Sequence, residues 1–358
     1  MAHLSGLLLV DCPASALNNA GTESGARTDN VVSVKKIKTR AGTFPYVSAQ
    51  AFRYWWREAL RGVDGWTPSP IFREEKIAYT DANPIAYAED DIFGYMRAQS
   101  TKTDAVASRE AKGTLKNATP IEAKTTLTRS SVLKMSTLIS IAASDPAGDF
   151  GVMARHEGNP VPHEHEFYRT TLMGLFSIDL RMLGRFYHID RTGYKHLDSV
   201  RKELAAQNGL TSYDNDRAFE LPAEARKQRL KQLLEGLSQI AGGAKLALHY
   251  TDVSPRLLMM AVSKGGNHLF GTAISATDKG LPKVNTAALK QIADVYQDSL
   301  KSKFHIGLVE GYLDDQRPSL VETVDQINKS KSNALPHPVQ AVEQLLAELD
   351  QKSPEWLA

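Results

Sequence analysis

The chain has 358 residues, of which 42% are hydrophobic and 23% charged. That mix supports a real core and excludes collagen-like, coiled-coil and wholly disordered chains. Lys and Arg total 43 against 41 for Asp and Glu, a formal charge of +2, so only the distribution of charge can speak about partners. The single cysteine, Cys12, rules out an intrachain disulfide and reads as a small buried residue beside Leu7-Leu8-Leu9-Val10. No signal-peptide pattern opens the chain, and no apolar run approaches the ~20 residues of a membrane span. A cytoplasmic protein with no membrane partner is expected.

In chain order, Leu4 to Val10 reads as a buried strand. The segment from Ala14 to Thr43 is too polar for core and too long for a simple turn. A helix then follows Pro45, with Ser48 as N-cap. Phe52, Trp55, Trp56, Ala59 and Leu60 form one apolar face, Arg53, Arg57 and Arg61 a basic stripe beside it, and Gly62 closes the helix. Trp66 to Arg97 has no clear period, and Gln99 to Ala118 reads as a mobile surface excursion. Strands are expected at Leu138–Ala142 and Leu172–Leu180. Between them, the Gly and Pro residues of Ser144 to Arg169 mark a protruding hairpin. Pro222 opens a second helix with Leu230, Leu233, Leu234, Leu237 and Ala241 on one face, ended by Gly242-Gly243. Leu257–Val262 is a further strand, and helices are expected over Thr286–Leu300 and Pro338–Leu349. The strong elements therefore run β-α-β-β-α-β, the order of a ferredoxin-like or RRM-like α+β fold. Its helices would cover one sheet face and leave the other free for a ligand, single-stranded RNA being the common one. The aromatic RNP1 pattern is missing.

Charge is concentrated in one place. From Arg27 to Arg61 there are eight basic residues (Arg27, Lys35, Lys36, Lys38, Arg40, Arg53, Arg57, Arg61) and two acidic ones, Asp29 and Glu58. A basic loop feeding a basic-striped helix suits a phosphate backbone, although a solvated charged surface has the same composition. Asn18 and Asn19 add amide groups, and Ser48 and Gln50 lie in or beside the helix's first turn. Arg97, Arg129 and Lys134 belong to segments that could converge on the same sheet face, giving contacts to phosphate and sugar without sequence preference. No GxxxxGK[ST], GxSxG or HExxH motif is present. His156, Glu157, His163, Glu164, His165 and Glu166 cluster, but their spacing matches no familiar ligand set, so no metal or other cofactor is expected.

Five stretches carry a family resemblance: LNNAGTESGARTDNVVSVKKIKTRAGTFPYVSAQAFRYWWREALR, DIFGYMR, TRSSVLKMSTLISI, EFYRTTLMGLFSIDL and GGAKLALHYTDVSPRLLMMAV. In order, from about Leu4 to Gly271, the chain resembles the DevR-type CRISPR-associated proteins, the repeated backbone subunit of type I-B Cascade. The resemblance implies an RRM-like palm with finger insertions and a thumb, polymerising along a CRISPR RNA. Its partners would be that RNA, the target DNA paired to it, copies of the same chain and other Cascade subunits. Residues 1–65 would begin the palm and 66–135 form the finger insertion, with its loop at about 99–118. Residues 136–271 would complete the palm, with the thumb at about 144–168, and 272–358 would form a C-terminal helical portion.

By the same resemblance Lys35, Lys36, Lys38, Ser48, Gln50, Arg53 and Arg57 would grip the RNA backbone. Met96 would wedge beside a displaced nucleotide, unless it simply fills core, and Phe150 or Met153 would form the thumb's apolar tip. Type I subunits are not nucleases, so no enzyme activity is expected. Related type III subunits cleave RNA with an Asp in this first loop, where Asp29 stands. The alternatives are therefore a metal-dependent ribonuclease using Asp29 or a stand-alone single-stranded RNA-binding protein.

Overall fold

The computed structural model describes residues 2–22, 31–74, 77–98, 117–155 and 157–358. Arg27, Asp29, His156 and most of the expected 99–118 excursion lie outside these described residues. The fold is mixed α+β around a large sheet. Its strands include β1 (Ala2–Ser15), β2 (Lys36–Thr39), β3 (Gly42–Val47), β4 (Leu133–Met135) and β5 (Leu138–Ser140). They continue with β6 (Ala147–Met153), β7 (Val161–Asp179), β8 (Leu257–Lys264) and β9 (His305–Leu308). The sheet runs β9-β8-β1-β7-β5-β3-β2, with β4 and β6 also paired to β7. Each of these pairings is antiparallel.

Helix α1 (Ala49–Leu60) starts where Ser48 Oγ accepts from the Ala51 N–H at 3.3 Å, as its cap chemistry requires. Its buried Phe52, Trp56 and Leu60 meet Leu230, Leu233 and Leu237 of α2 (Ala223–Ser238) and Leu345 and Leu349 of α3 (Pro338–Trp356) in one core. The Trp56 indole donates to the Leu233 carbonyl at 2.8 Å, fastening α1 to α2. Leu4, Leu8, Leu172, Phe176, Met260 and Val262 belong to the same core and supply the sheet side.

The opposite face of β1, β8 and β9 is not free, as expected from the sequence, but closed by a second core. Leu7, Leu9, Leu257, Met259, Ile306 and Leu308 are buried with Leu269, Phe270, Leu289, Ile292, Leu320 and Val324. These last come from the segment after β8 and from the helices Thr286–Val295 and Arg317–Asn328. The unbroken apolar run Leu257-Leu258-Met259-Met260-Ala261-Val262 follows from this, because a strand covered on both faces shows no alternation.

Several elements differ in length from their sequence expectation. β7 has 19 residues rather than the nine of Leu172–Leu180, because its N-terminal half leaves the main sheet and pairs with β6 as a hairpin. α3 continues to Trp356, whose buried indole donates to the Lys301 carbonyl at 3.3 Å. The helix at Thr286 instead stops at Val295. The stretch without a clear period contains the ribbon Ile71–Glu74/Ile77–Thr80 and the short helix Ala88–Phe93. Strand Tyr95–Ala98 follows and pairs with Thr126–Arg129. Gly94 has φ +73°, and a Cβ there would lie 2.5 Å from the Arg129 carbonyl oxygen, so this turn demands glycine.

Candidate nucleic-acid interface

The expected basic groove divides into residues that face solvent and residues the fold has consumed. Arg97 and Arg129 belong to the second group. Arg97 is 2% exposed and its Nη1 donates to the Asp81 and Thr119 carbonyls at 2.8 and 2.9 Å. Arg129, 3% exposed, donates to the carbonyls of Asp91, Arg185 and Met182 and ion-pairs with the buried Asp91 carboxylate. Asp91 also takes Arg229 at 2.7 Å and the Gly184 N–H at 2.9 Å. Guanidinium groups engaged on internal oxygens are fasteners of the segments 81–98 and 117–129, which corrects their expected place on a sheet face.

Arg53 is also turned inward. Its Nη1 donates to Ser131 Oγ at 3.1 Å and the Leu133 carbonyl at 2.8 Å, and its Nη2 to the Phe93 carbonyl at 2.8 Å. Burial, then the neighbouring Arg57, lowers its pKa to about 10, which leaves it charged near neutrality. Arg57 lies 5.1 Å from the Phe93 ring centroid and 3.8 Å from Glu89. Two of the three arginines of the expected α1 stripe are therefore half-buried against residues 89–93 and 131–133, and only Arg61 is exposed, beside Glu58 at 3.1 Å.

The lysines separate by strand alternation. β2 and β3 pair Lys36 with Pro45 and Lys38 with Thr43, and the Tyr46 N–H donates to the Lys35 carbonyl at 2.9 Å. Continuing the register gives one transverse row: Lys35, Tyr46, Ile139, Met173, Leu9, Leu257 and Leu308. Lys134, opposite Ser177, is on the same face. At the Leu308 end this face is the closed second core; at the Lys35 end it is half-exposed, and Lys134 is exposed. Lys36 and Lys38 point the other way, so the three lysines do not form a common grip. Lys36 is moreover held by Glu166 of the hairpin.

Ser48 and Asn18 are committed to structure: Ser48 caps α1, and Asn18 Oδ1 accepts from the Ser48 N–H at 3.0 Å. Asn18 also accepts the Lys35 N–H on its carbonyl at 2.8 Å. Asn19 Oδ1 is buried without a hydrogen-bond partner, and Gln50 is exposed. Met96 is 69% exposed, which removes the core-filling alternative. It alternates with the buried Tyr95 and Arg97 on its strand.

The hairpin β6/β7 projects Phe150, Val152, Met153 and Val161, all at least 43% exposed. Phe150 stands opposite Glu164 and Met153 opposite Val161, next to the turn. At the hairpin root His165 is buried and its ring touches His249. Burial first, then nearby Lys245 and His249, lowers the His165 pKa. The sequence reading missed His249, Lys245 and Tyr46, because no local pattern distinguishes them. No helix among the described residues is long and apolar enough to cross a membrane. Cys12 is buried as expected, and burial pushes its thiol up to about 12.

No curated protein matches the chain. Among solved structures it is similar to a chain of a "CRISPR RNA-guided surveillance complex", with 10% identity, 97% and 99% of the two chains covered and a TM-score of 0.45. It is also similar to a chain of a "CRISPR RNA-guided surveillance complex, pre-nicking", with 12% identity, the same coverage and a TM-score of 0.49. Residues 10–275 match the family model described as "CRISPR-associated negative auto-regulator DevR/Csa2". This span takes in the end of β1, α1, the half-exposed lysine face, the hairpin and β8, and the chain belongs to that CRISPR-associated family.

Proposed function

We propose that the protein is a non-catalytic backbone subunit of a type I-B CRISPR surveillance complex. It would polymerise along a CRISPR RNA and hold it for pairing with target DNA, so that base pairing rather than protein reads the sequence. The observation that carries this reading is the family match across residues 10–275. Supporting it, the strand order β8-β1-β7-β4/β5 with α1 and α2 on one face is compatible with an RRM-like palm. The β6/β7 hairpin would be the thumb.

Lys35 and Lys134 are the phosphate contacts on the open part of the sheet, with Tyr46 between them as a stacking surface. From strand spacings of about 4.8 Å and about 3.3 Å per residue, their backbones stand roughly 16 Å apart. That suits a length of single strand rather than one nucleotide. Met96 and the apolar side chains of the hairpin would act beside displaced nucleotides and against the next subunit. An exposed Phe150 on a projecting ribbon gains free energy only once a partner covers it.

The test is purification of the chain from a heterologous host, with absorbance ratio and particle size recorded before and after ribonuclease. RNA-containing arcs or filaments that collapse on digestion are expected. A nucleic-acid-free monomer that binds no single-stranded RNA at low salt, even with its partner subunits, would refute the reading.

A further inference from the structure

Three segments distant in sequence bring ligating atoms together at the hairpin root. Asp149 of β6 stands directly opposite His165 of β7, with its Oδ2 3.4 Å from His165 Nε2. His249, from the segment before β8, places its own Nε2 2.7 Å from the same His165 nitrogen. The ligating atoms of all three residues lie within 4.8 Å of one another. The His249 ring is held in this orientation by stacking on Phe167, with centroids 5.0 Å apart and planes 19° from parallel. The His165 side chain is 4% exposed and that of Asp149 55%, so the cluster has a rigid inner wall and an outer side open to water.

Two histidine rings that share a single N···N contact can hold only one proton between those nitrogens. A hydrogen bond satisfies that pair and leaves Asp149 at ion-pair distance from His165, an attraction that needs a protonated ring. A cation accounts for all three donors. With bonds of about 2.0–2.2 Å to nitrogen and oxygen, neighbouring ligand atoms of a tetrahedral ion stand roughly 3.3–3.5 Å apart. The Asp149–His165 distance meets this directly. The His165–His249 pair reaches it by opening about 0.6 Å, a small ring displacement on the half-exposed His249 side, and the Asp149–His249 pair, within 4.8 Å, by rotation of the exposed Asp149 side chain. Two imidazoles and one carboxylate select a borderline transition metal over calcium or magnesium, which prefer all-oxygen sites.

We infer that Asp149, His165 and His249 form a binding site for one divalent ion of the zinc class, with water completing its coordination. The ion ties both strands of the hairpin to the segment preceding β8 and so fixes the angle at which Phe150 and Val152 are presented. This inference stands apart from the RNA-binding reading, and neither needs the other.

The test uses the full chain without affinity histidines, stripped by chelator and titrated with zinc against a chromophoric competitor. One equivalent per chain is expected, weakened at least tenfold in His249→Gln and in Asp149→Asn and unchanged in His188→Gln. Zinc should also slow proteolysis within residues 154–160 in the unaltered chain but not in His249→Gln. Absence of a stoichiometric ion, or binding that survives in both ligand variants as an adventitious ion only, overturns the inference. Cobalt supplies a readout on the unaltered chain should a variant fail to fold. Visible bands of four-coordinate intensity support the site, and a weak six-coordinate spectrum overturns it.

Discussion

Arg53 and Lys35 belong to the same basic segment, and Lys134 shares the sheet face of Lys35, yet replacing Arg53 and replacing the lysine pair should fail in opposite ways. Arg53→Met removes the donor to the carbonyls of Leu133 and Phe93, each 2.8 Å from the guanidinium; Leu133 keeps the Ser131 hydroxyl as a donor, so the Phe93 carbonyl is the one stranded. An unsatisfied buried acceptor costs about 1–3 kcal/mol, and the low end applies because Arg53 is half-buried. Loss of the guanidinium over the Phe93 ring, 5.2 Å from its centroid, adds about 0.5–1 kcal/mol. The expected loss of stability is therefore about 1.5–2 kcal/mol. Urea denaturation followed by tryptophan fluorescence reads it, through Trp55 and Trp56 of the same helix together with Trp66 and Trp356. Below the transition, Arg53→Met should keep the salt dependence of RNA binding.

Lys35→Ala/Lys134→Ala should leave stability within about 0.5 kcal/mol, as for other surface substitutions. Each lost phosphate contact to single strands should flatten the plot of log K against log salt by about 0.7, so roughly 1.4 for the pair. Lys38→Ala, on the opposite side of β2, should leave the slope unchanged. An Arg53→Met protein of unaltered stability but flattened slope would refute the division between fasteners and phosphate contacts. So would a lysine pair that unfolds the chain.

Three further outcomes follow from the cores and their charges. Asp91→Asn removes the counter-charge of both Arg129 and Arg229 in a buried setting; it should cost about 3–5 kcal/mol in chemical denaturation, and a loss under about 1 kcal/mol would contradict the network. Gly6→Ala places a Cβ 2.0 Å from the fully buried Phe176 ring, itself edge-on to Trp56 at 5.7 Å. Overpacking of about 1–3 kcal/mol is expected, and full stability would show that the ring has room to move. Burial raises the pKa of Glu348, but hydrogen bonds from His305 and Lys352 outweigh it and hold the carboxyl at about 2. A carboxyl depressed in the folded state stabilises above its unfolded pKa and loses that contribution as pH falls. This stability, at most about 3 kcal/mol, should disappear between about pH 5 and 2. Glu348→Gln should remove that part of the pH dependence, and an unchanged acid profile would argue against the pair.

Local pattern carried much of the fold. The period of Phe52, Trp56 and Leu60 and the oxygen of Ser48 define α1, because helix periodicity and capping depend only on residues a few positions apart. The polar outer half of β7 was legible only as Gly and Pro punctuation. The hydrogen-bonded partner that makes Val161–Phe167 a strand is β6, and pairing is not written in the strand itself. The unbroken run in β8 already implied burial on two faces, so the closed second face had a signal in the sequence.

The site was less legible. Composition located a basic segment but could not say which cations remain in solution. Arg53 meets acceptors about 40 and 80 positions away, and Arg129 one 56 positions away. Strand register sends Lys35 and Lys36 to opposite faces, and His165 meets His249 across 84 residues. Sequence by itself determined the elements, the family resemblance and the quantity of charge. Tertiary structure alone decided which charges are spent on internal carbonyls and which face solvent, because burial and acceptor geometry arise only when distant segments pack together.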